Sequence, residues 1–251
     1  MTRPTYQRQN FPDRIVLEPS MPADSCIIWL HGLGASGDDF VPLLPHLLQA
    51  LNTAQPPVLR AIYPHAAQQP VTINGGMVMP SWYDLLATSP RRQIDGQQLS
   101  DSVRRIHTLI DQQIAAGIDS RRILLAGFSQ GGAVAYEAAF SYPQPLAGLM
   151  ALSTYIARPL QINAANQHLP VLIAHGDYDG VVSPELGEEA CQWLSAQGIT
   201  PESHRYPLAH EVCLEEIEHC GLFAGRCLLK NERQGSTPQE IQRAENTEAK
   251  P

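Results

Sequence analysis

Short unbroken apolar runs alternate with amphipathic stretches along most of this chain. Cys26-Ile27-Ile28-Trp29-Leu30, Ile123-Leu124-Leu125-Ala126, Leu146-Ala147-Gly148-Leu149-Met150-Ala151-Leu152 and Val171-Leu172-Ile173-Ala174 have the length and continuity of strands covered on both faces. Val58-Leu59-Arg60-Ala61-Ile62-Tyr63 reads as a further strand, Arg14-Ile15-Val16-Leu17-Glu18 as a short edge strand, and Ser203-His204-Arg205-Tyr206 as a short last one. Between them lie helical patterns. Residues 97–117 place Leu99, Val103, Ile106, Ile110 and Ile114 at three- and four-residue spacing and stop at Gly117. Residues 38–51, 133–139 and 184–197 read as helices too, with Pro45 kinking or delaying the first and Gly198 ending the last. Strands alternating with helices predict an α/β fold with a largely parallel sheet covered on both faces.

Two stretches fall outside the alternation. Residues 64–94 are rich in Pro, Gly and amides around Met77-Val78-Met79-Pro80-Ser81-Trp82-Tyr83-Asp84 and read as a long ordered loop that roofs an apolar pocket. Residues 230–251 are almost wholly polar, with Ile241 the one large apolar residue, and read as a disordered tail after a single domain ending at residue 229.

Composition narrows the functional classes. A chain of 251 residues with 43% hydrophobic content is long enough for one sizeable core. A formal net charge of -8 argues against nucleic acid or an anionic membrane surface as partner, since both reward clustered Lys and Arg. No run approaches the roughly 18 apolar residues of a membrane span, and the charged first ten residues lead into no apolar stretch, so neither stable membrane insertion nor a signal peptide is expected. A cytoplasmic location follows. The five cysteines contain no C-x-x-C pair and fit reduced thiols. Cys213, Cys220 and Cys227 recur every seven residues, but Gly221 and Gly225 argue against one unbroken helix, and packing thiols suit them better than metal ligation. No metal or cofactor is expected.

The chemistry gathers at strand ends. Gly127-Phe128-Ser129-Gln130-Gly131-Gly132 lies between a predicted strand and a predicted helix, the setting of the G-x-S-x-G nucleophile elbow. A serine hydroxyl needs an adjacent base, usually a histidine steered by a carboxylate. Asp179, in the loop after a strand, and His210, after the last strand, supply them in the order Ser, Asp, His. His31-Gly32-Leu33-Gly34 follows the strand at residues 26–30 and lacks the lysine and the spacing of phosphate-binding loops, so it reads as an oxyanion loop. Leu33 and Gln130 would then supply two backbone N–H donors. Asp177 reads as a turn former beside Gly176, His31 and His175 as loop props, and Glu211 as a bystander. Met79, Trp82 and Val182 are expected to line the substrate pocket.

Taken together, His31-Gly32-Leu33-Gly34, Trp82-Tyr83-Asp84, Gly127-Phe128-Ser129-Gln130-Gly131-Gly132, His175-Gly176-x-x-Asp179 and Ala209-His210-Glu211 resemble the phospholipase/carboxylesterase family, which includes acyl-protein thioesterases and small bacterial carboxylesterases. The resemblance covers about residues 14–222. It implies an α/β-hydrolase fold without a large cap domain, with Ser129, Asp179 and His210 matching the triad and Leu33 and Gln130 the oxyanion donors. It also implies hydrolysis of carboxylic esters or thioesters of short to long acyl chains, and a homodimer of the kind several members form; within that range the expectation is cleavage of carboxylic esters of short to medium acyl chains through an acyl-enzyme, with acyl-protein thioesterase or lysophospholipase activity as the alternative. A catalytically silent binder of acyl ligands is the reading from outside the enzymes. Met79-Pro80-Ser81 stands where many members carry a basic residue, and Gly180 where many carry proline; both departures bear on substrate preference rather than on the chemistry.

Overall fold

In the computed structural model, which describes residues 4–53, 55–89 and 92–229, the chain starts as an antiparallel pair, β1 (Tyr6–Phe11) and β2 (Arg14–Pro19). β1 contains no apolar run and no pattern announces it; it forms by pairing along the open edge of β2. β3 (Ser25–Leu30) leads into a 3₁₀ turn over Gly37–Leu43 and then α1 (Leu44–Ala50), followed by β4 (Leu59–Pro64). The helix expected over residues 38–51 is therefore two pieces. Pro42 lies inside the 3₁₀ turn and Pro45 in the first turn of α1, where a missing amide donor costs little.

The stretch read as a loop is an arm of two small antiparallel sheets. β5 (Ala67–Val71) pairs with β6 (Met77–Ser81), and β7 (Leu85–Ala87) pairs with β8 (Gln93–Ile94). Gly75 and Gly76, with φ of 67° and 79°, turn the first hairpin in a region that side chains disfavour. After the arm come α2 (Gly96–Ala115), β9 (Ile123–Phe128), α3 (Gln130–Ser141), β10 (Gly148–Leu152), β11 (Val171–Gly176), α4 (Pro184–Ala196), β12 (Glu202–Tyr206) and α5 (Leu214–Cys227). The aspartate before α2 caps it, accepting the amides of Gln97 and Gln98 on its side chain.

The central sheet has eight strands in the order β1-β2-β4-β3-β9-β10-β11-β12. Pairings from β4 through β12 are parallel, and β1 and β2 add an antiparallel edge. Helices cover both faces, and no large cap domain lies over the described residues. Strand alternation divides the interior in two. Cys26, Ile28 and Leu30 of β3 join Leu125, Leu149, Ala151 and Ile173 in a core that α2, α3 and α4 cover. Ile27 and Trp29, pointing the other way, join Leu124, Met150 and Leu172 in a second core beneath α1 and α5.

α5 corrects the expectation that Gly221 and Gly225 interrupt a helix. It runs unbroken because α1 lies so close that these positions have no room for a side chain: a Cβ on Gly221 would stand 2.6 Å from the Ala50 Cβ, and one on Gly225 would collide with the Leu51 carbonyl. The glycines admit a neighbouring helix, and their cost in helix propensity of about 1 kcal/mol each is offset by that packing. The tail expected over residues 230–251 lies outside the described residues.

Candidate active site

β3 and β9 are neighbours at the middle of the sheet, and the connections leaving them run to opposite sides. A crevice opens at the carboxyl ends of parallel strands at such a switch point. The loop after β3 carries Leu33, the turn after β9 carries Ser129 and Gln130, the loop after β11 carries Asp179, and the loop after β12 carries His210.

Ser129 is held in a backbone conformation that few residues adopt, φ 54° and ψ -121°. Strain of this kind costs about 1–3 kcal/mol and persists only when the surroundings enforce it. Here the neighbours do. A Cβ on Gly127 would come within 2.5 Å of the Gly131 carbonyl oxygen, and one on Gly131 would collide with the His31 carbonyl. The Ser129 amide donates to the Leu152 carbonyl at 3.0 Å and its carbonyl accepts the Thr154 hydroxyl at 2.6 Å.

The Ser129 hydroxyl donates to His210 Nε2 at 2.9 Å, and His210 Nδ1 donates to Asp179 Oδ2 at 2.6 Å. The Asp179 side chain is fully buried, and its Oδ1 accepts the amides of Val181 at 2.9 Å and Val182 at 2.8 Å. Those amides fix the carboxylate rotation, so Oδ2 is left facing the imidazole. The Phe128 ring lies 4.7 Å from the His210 ring and supports its open side. Asp177 turns away and pairs with Arg205 at 2.9 Å.

Leu33 and Gln130 line the same cavity as Ser129 and His210. Gln130 is the first residue of α3, where an amide has no partner inside its own helix, and Leu33 N–H donates to no acceptor among the described residues. Two free N–H groups beside the hydroxyl, one at the positive end of a helix, suit an oxygen that gains negative charge. The Gln130 side chain serves a separate end: Oε1 accepts the Trp82 amide at 2.9 Å and Nε2 donates to the Tyr83 carbonyl at 2.7 Å.

Two other histidines brace the loops. His31 Nδ1 donates to the Gly32 carbonyl at 2.7 Å while Nε2 accepts the Ala66 amide at 3.0 Å, and burial pushes its pKa down to about 4. The ring is neutral, and its tautomer is set by these partners. His175 Nε2 donates to the Val182 carbonyl at 2.8 Å, and burial lowers its pKa as well, so its 3.4 Å approach to Asp179 is not an ion pair.

The pocket differs in part from its sequence reading. The cavity beside Ser129, of about 370 Å³, is lined by Phe40, Ile73, Leu85, Val181 and Val182 among others. Trp82, expected on this wall, stands behind it: the ring is buried in the α2 and α3 core and Nε1 donates to the His31 carbonyl at 2.8 Å. Met79 is also off the lining. Its sulfur accepts from the Asn74 side-chain amide at 3.3 Å and lies beside Gly34. Within an irregular arm no period tells which way a side chain points, so both misplacements have one origin. Phe128, Tyr155 and Arg92 line the cavity without having been anticipated; only Phe128, inside the elbow motif, left a signal. Among the described residues no cluster of three His, Cys, Asp or Glu would hold a metal ion, and no helix is long and apolar enough to cross a membrane.

Comparison with known proteins agrees with this architecture. Residues 12–226 match the model of the phospholipase/carboxylesterase family. Acyl-protein thioesterase 1 of Neurospora crassa is 33% identical over 204 residues, 76% of this chain and 82% of that protein. Acyl-protein thioesterase 1 homolog 1 of Dictyostelium discoideum is 35% identical over 209 residues, 81% of this chain and 91% of that protein. The crystal structure of Arabidopsis thaliana SOBER1 superposes with a TM-score of 0.74 at 30% identity, covering 82% of this chain and 99% of that one. This chain, with its sheet, its elbow and its sequence all in agreement, belongs to the phospholipase/carboxylesterase family.

Proposed function

We propose that the chain is a serine hydrolase that cleaves carboxylic esters of short to medium acyl chains through an acyl-enzyme. The observation that carries the reading is the unbroken path of hydrogen bonds from the Ser129 hydroxyl through His210 to the buried Asp179 carboxylate. In the first step His210 Nε2 takes the hydroxyl proton as Oγ attacks the ester carbonyl, and Asp179 stabilises the imidazolium that results. The oxyanion sits against the Leu33 and Gln130 amides. His210 then returns the proton to the departing alcohol, and water, activated by the same imidazole, releases the acid. The cavity, at the small end of ligand pockets, and its apolar wall support short to medium acyl groups.

A fluorophosphonate that labels Ser129, together with a series of para-nitrophenyl esters of increasing acyl length, tests the proposal. Labelling and a maximum at short to medium chains are expected; absence of labelling would return the chain to a silent acyl-binding role. Thioester cleavage is the second reading, favoured by the two relatives named acyl-protein thioesterase. An acylated cysteine peptide hydrolysed faster than the matching oxygen ester would select it. The proposal places this activity in one domain ending at residue 229, in the cytoplasm, where five free thiols are at home, and in a homodimer, which light scattering of the purified protein tests.

A further inference from the structure

One charged side chain in the cavity has no work in the reaction as proposed. Arg92 lines the same space as Ser129 and His210. Its guanidinium carbon stands 4.1 Å above the ring of Tyr155, and Tyr155 is itself buried, with its hydroxyl 2.6 Å from that of Tyr83. The stack therefore rests on a fixed platform. Nη2 reaches the Val181 carbonyl only at 3.4 Å, and Nε is buried without any acceptor. No carboxylate pairs with Arg92 among the described residues, although Arg158, elsewhere on the same side of the sheet, is paired with Glu137. Asp39, the one carboxylate lining the cavity among the described residues, is engaged with the Ser36 amide at 2.9 Å in a capping box.

A guanidinium held against an aromatic face, with its Nε buried and no anion to receive its fork of donors, favours whatever oxyanion completes it. Its planar fork matches a carboxylate with two parallel hydrogen bonds. An uncharged chain in the same place would leave the donors unmet, and a site built around a polar partner discriminates most strongly against substrates that lack it.

We propose that Arg92 is a specificity residue, and that the substrates preferred by this site are esters bearing a carboxylate, placed within reach of Arg92 while the scissile carbonyl lies against Ser129. This rests on the ester-hydrolase reading above. The carboxylate can belong to the acyl group or to the leaving alcohol, and both place the same anion in the cavity.

Two substrate pairs separate these sources. para-Nitrophenyl hydrogen adipate against para-nitrophenyl hexanoate places the charge on the acyl side; para-acetoxybenzoate against phenyl acetate places it on the leaving group. The wild type is expected to favour the charged member of one pair. In Arg92→Gln the charged-to-neutral ratio of kcat/KM for that pair should fall about ten- to a hundredfold, chiefly through KM, with Arg92→Lys intermediate. Raising the salt concentration should narrow the wild-type preference. Fluorophosphonate labelling of Ser129 in each variant shows that the site is still assembled. A wild type that prefers the neutral member of both pairs, or a ratio that Arg92→Gln leaves unchanged, would overturn the assignment. Loss of Ser129 labelling and of turnover on every ester in the wild type would instead overturn the hydrolase reading itself.

Discussion

The two walls of the cleft are held by different means. On one side Ser129 sits between β9 and α3, its backbone gripped by parallel strands and by glycines whose neighbours leave no space. On the other side the arm, residues 65–89 and 92–94, is anchored in the α2 and α3 core by Ala66, Trp82 and Tyr83 and fastened around that anchor by individual polar links: the Gln130 side chain to Trp82 and Tyr83, Trp82 Nε1 to the His31 carbonyl, the Ala66 amide to the His31 ring, and the Gly34 amide to the Pro80 carbonyl at 2.8 Å. The first wall is an extension of the sheet core; the second is rooted in it at Trp82 and Tyr83 and hung from it beyond them. The proposed chemistry therefore resides where geometry is most tightly determined, while the part of the pocket lined by Ile73, Leu85, Thr88 and Arg92 belongs to the arm.

The sharpest test of the rigid wall is Ser129→Ala, which removes the proposed nucleophile and leaves the scaffold. We expect kcat to fall by about 10⁴-fold or more with little change in melting temperature. A residual rate within about tenfold of the wild type would mean that another group attacks the ester.

How far the sequence shows these features depends on how local each one is. The elbow is legible because strand, turn and helix are contiguous at residues 123–139 and the glycines sit beside the serine they serve. Asp179 and His210 are legible through their order and their places after strands, although 31 residues of chain separate them. α5 is not, because the reason for Gly221 and Gly225 lies on α1, more than 170 residues earlier in the chain. β1 is an edge strand made by its partner, and the facing of Trp82 in the arm is set by a bond to His31 that no spacing reveals. Arg92 acquires meaning only when Tyr155, on a different loop, supplies the surface beneath it.

The next largest effect concerns the joint between the walls. Burial pushes the His31 imidazole down to about 4, from an ordinary value near 6.5. Between these values the unfolded chain takes up a proton that the folded chain refuses. This contribution to stability is therefore complete above about pH 6.5 and is lost as pH falls toward 4, a change of about 3 kcal/mol. Protonation would also abolish the acceptor for the Ala66 amide. Urea midpoints measured at pH 7 and pH 4.5 should separate more for the wild type than for His31→Gln, which has nothing to titrate. Equal separations would show that the root of the arm does not depend on this ring.

Gln130→Ala probes the arm without touching the backbone amide proposed to hold the oxyanion. It strands the buried Trp82 amide, at about 1–3 kcal/mol, and removes one of two donors from the Tyr83 carbonyl, which keeps the Ser81 hydroxyl at 2.6 Å. Displacement of the cavity wall should lower kcat/KM by about ten- to a hundredfold, well short of the Ser129→Ala loss, and should alter the dependence on acyl length. A fall as large as that of Ser129→Ala would break the division between a chemical wall and a shaping wall.

The smallest effect is expected at the far end of the arm, where Met77 and Val78 are 64% and 62% exposed at the tip of the β5–β6 hairpin. Neither contributes to the two cores, and neither lines the cavity. Replacing both by serine should change unfolding stability by less than about 0.5 kcal/mol and leave turnover of small water-soluble esters within about twofold. If the tip were instead clamped against the body as the elbow is, the same substitution would lower the melting temperature by several degrees. Thermal unfolding of the double variant thus measures directly how independent the hung wall is of the core behind it.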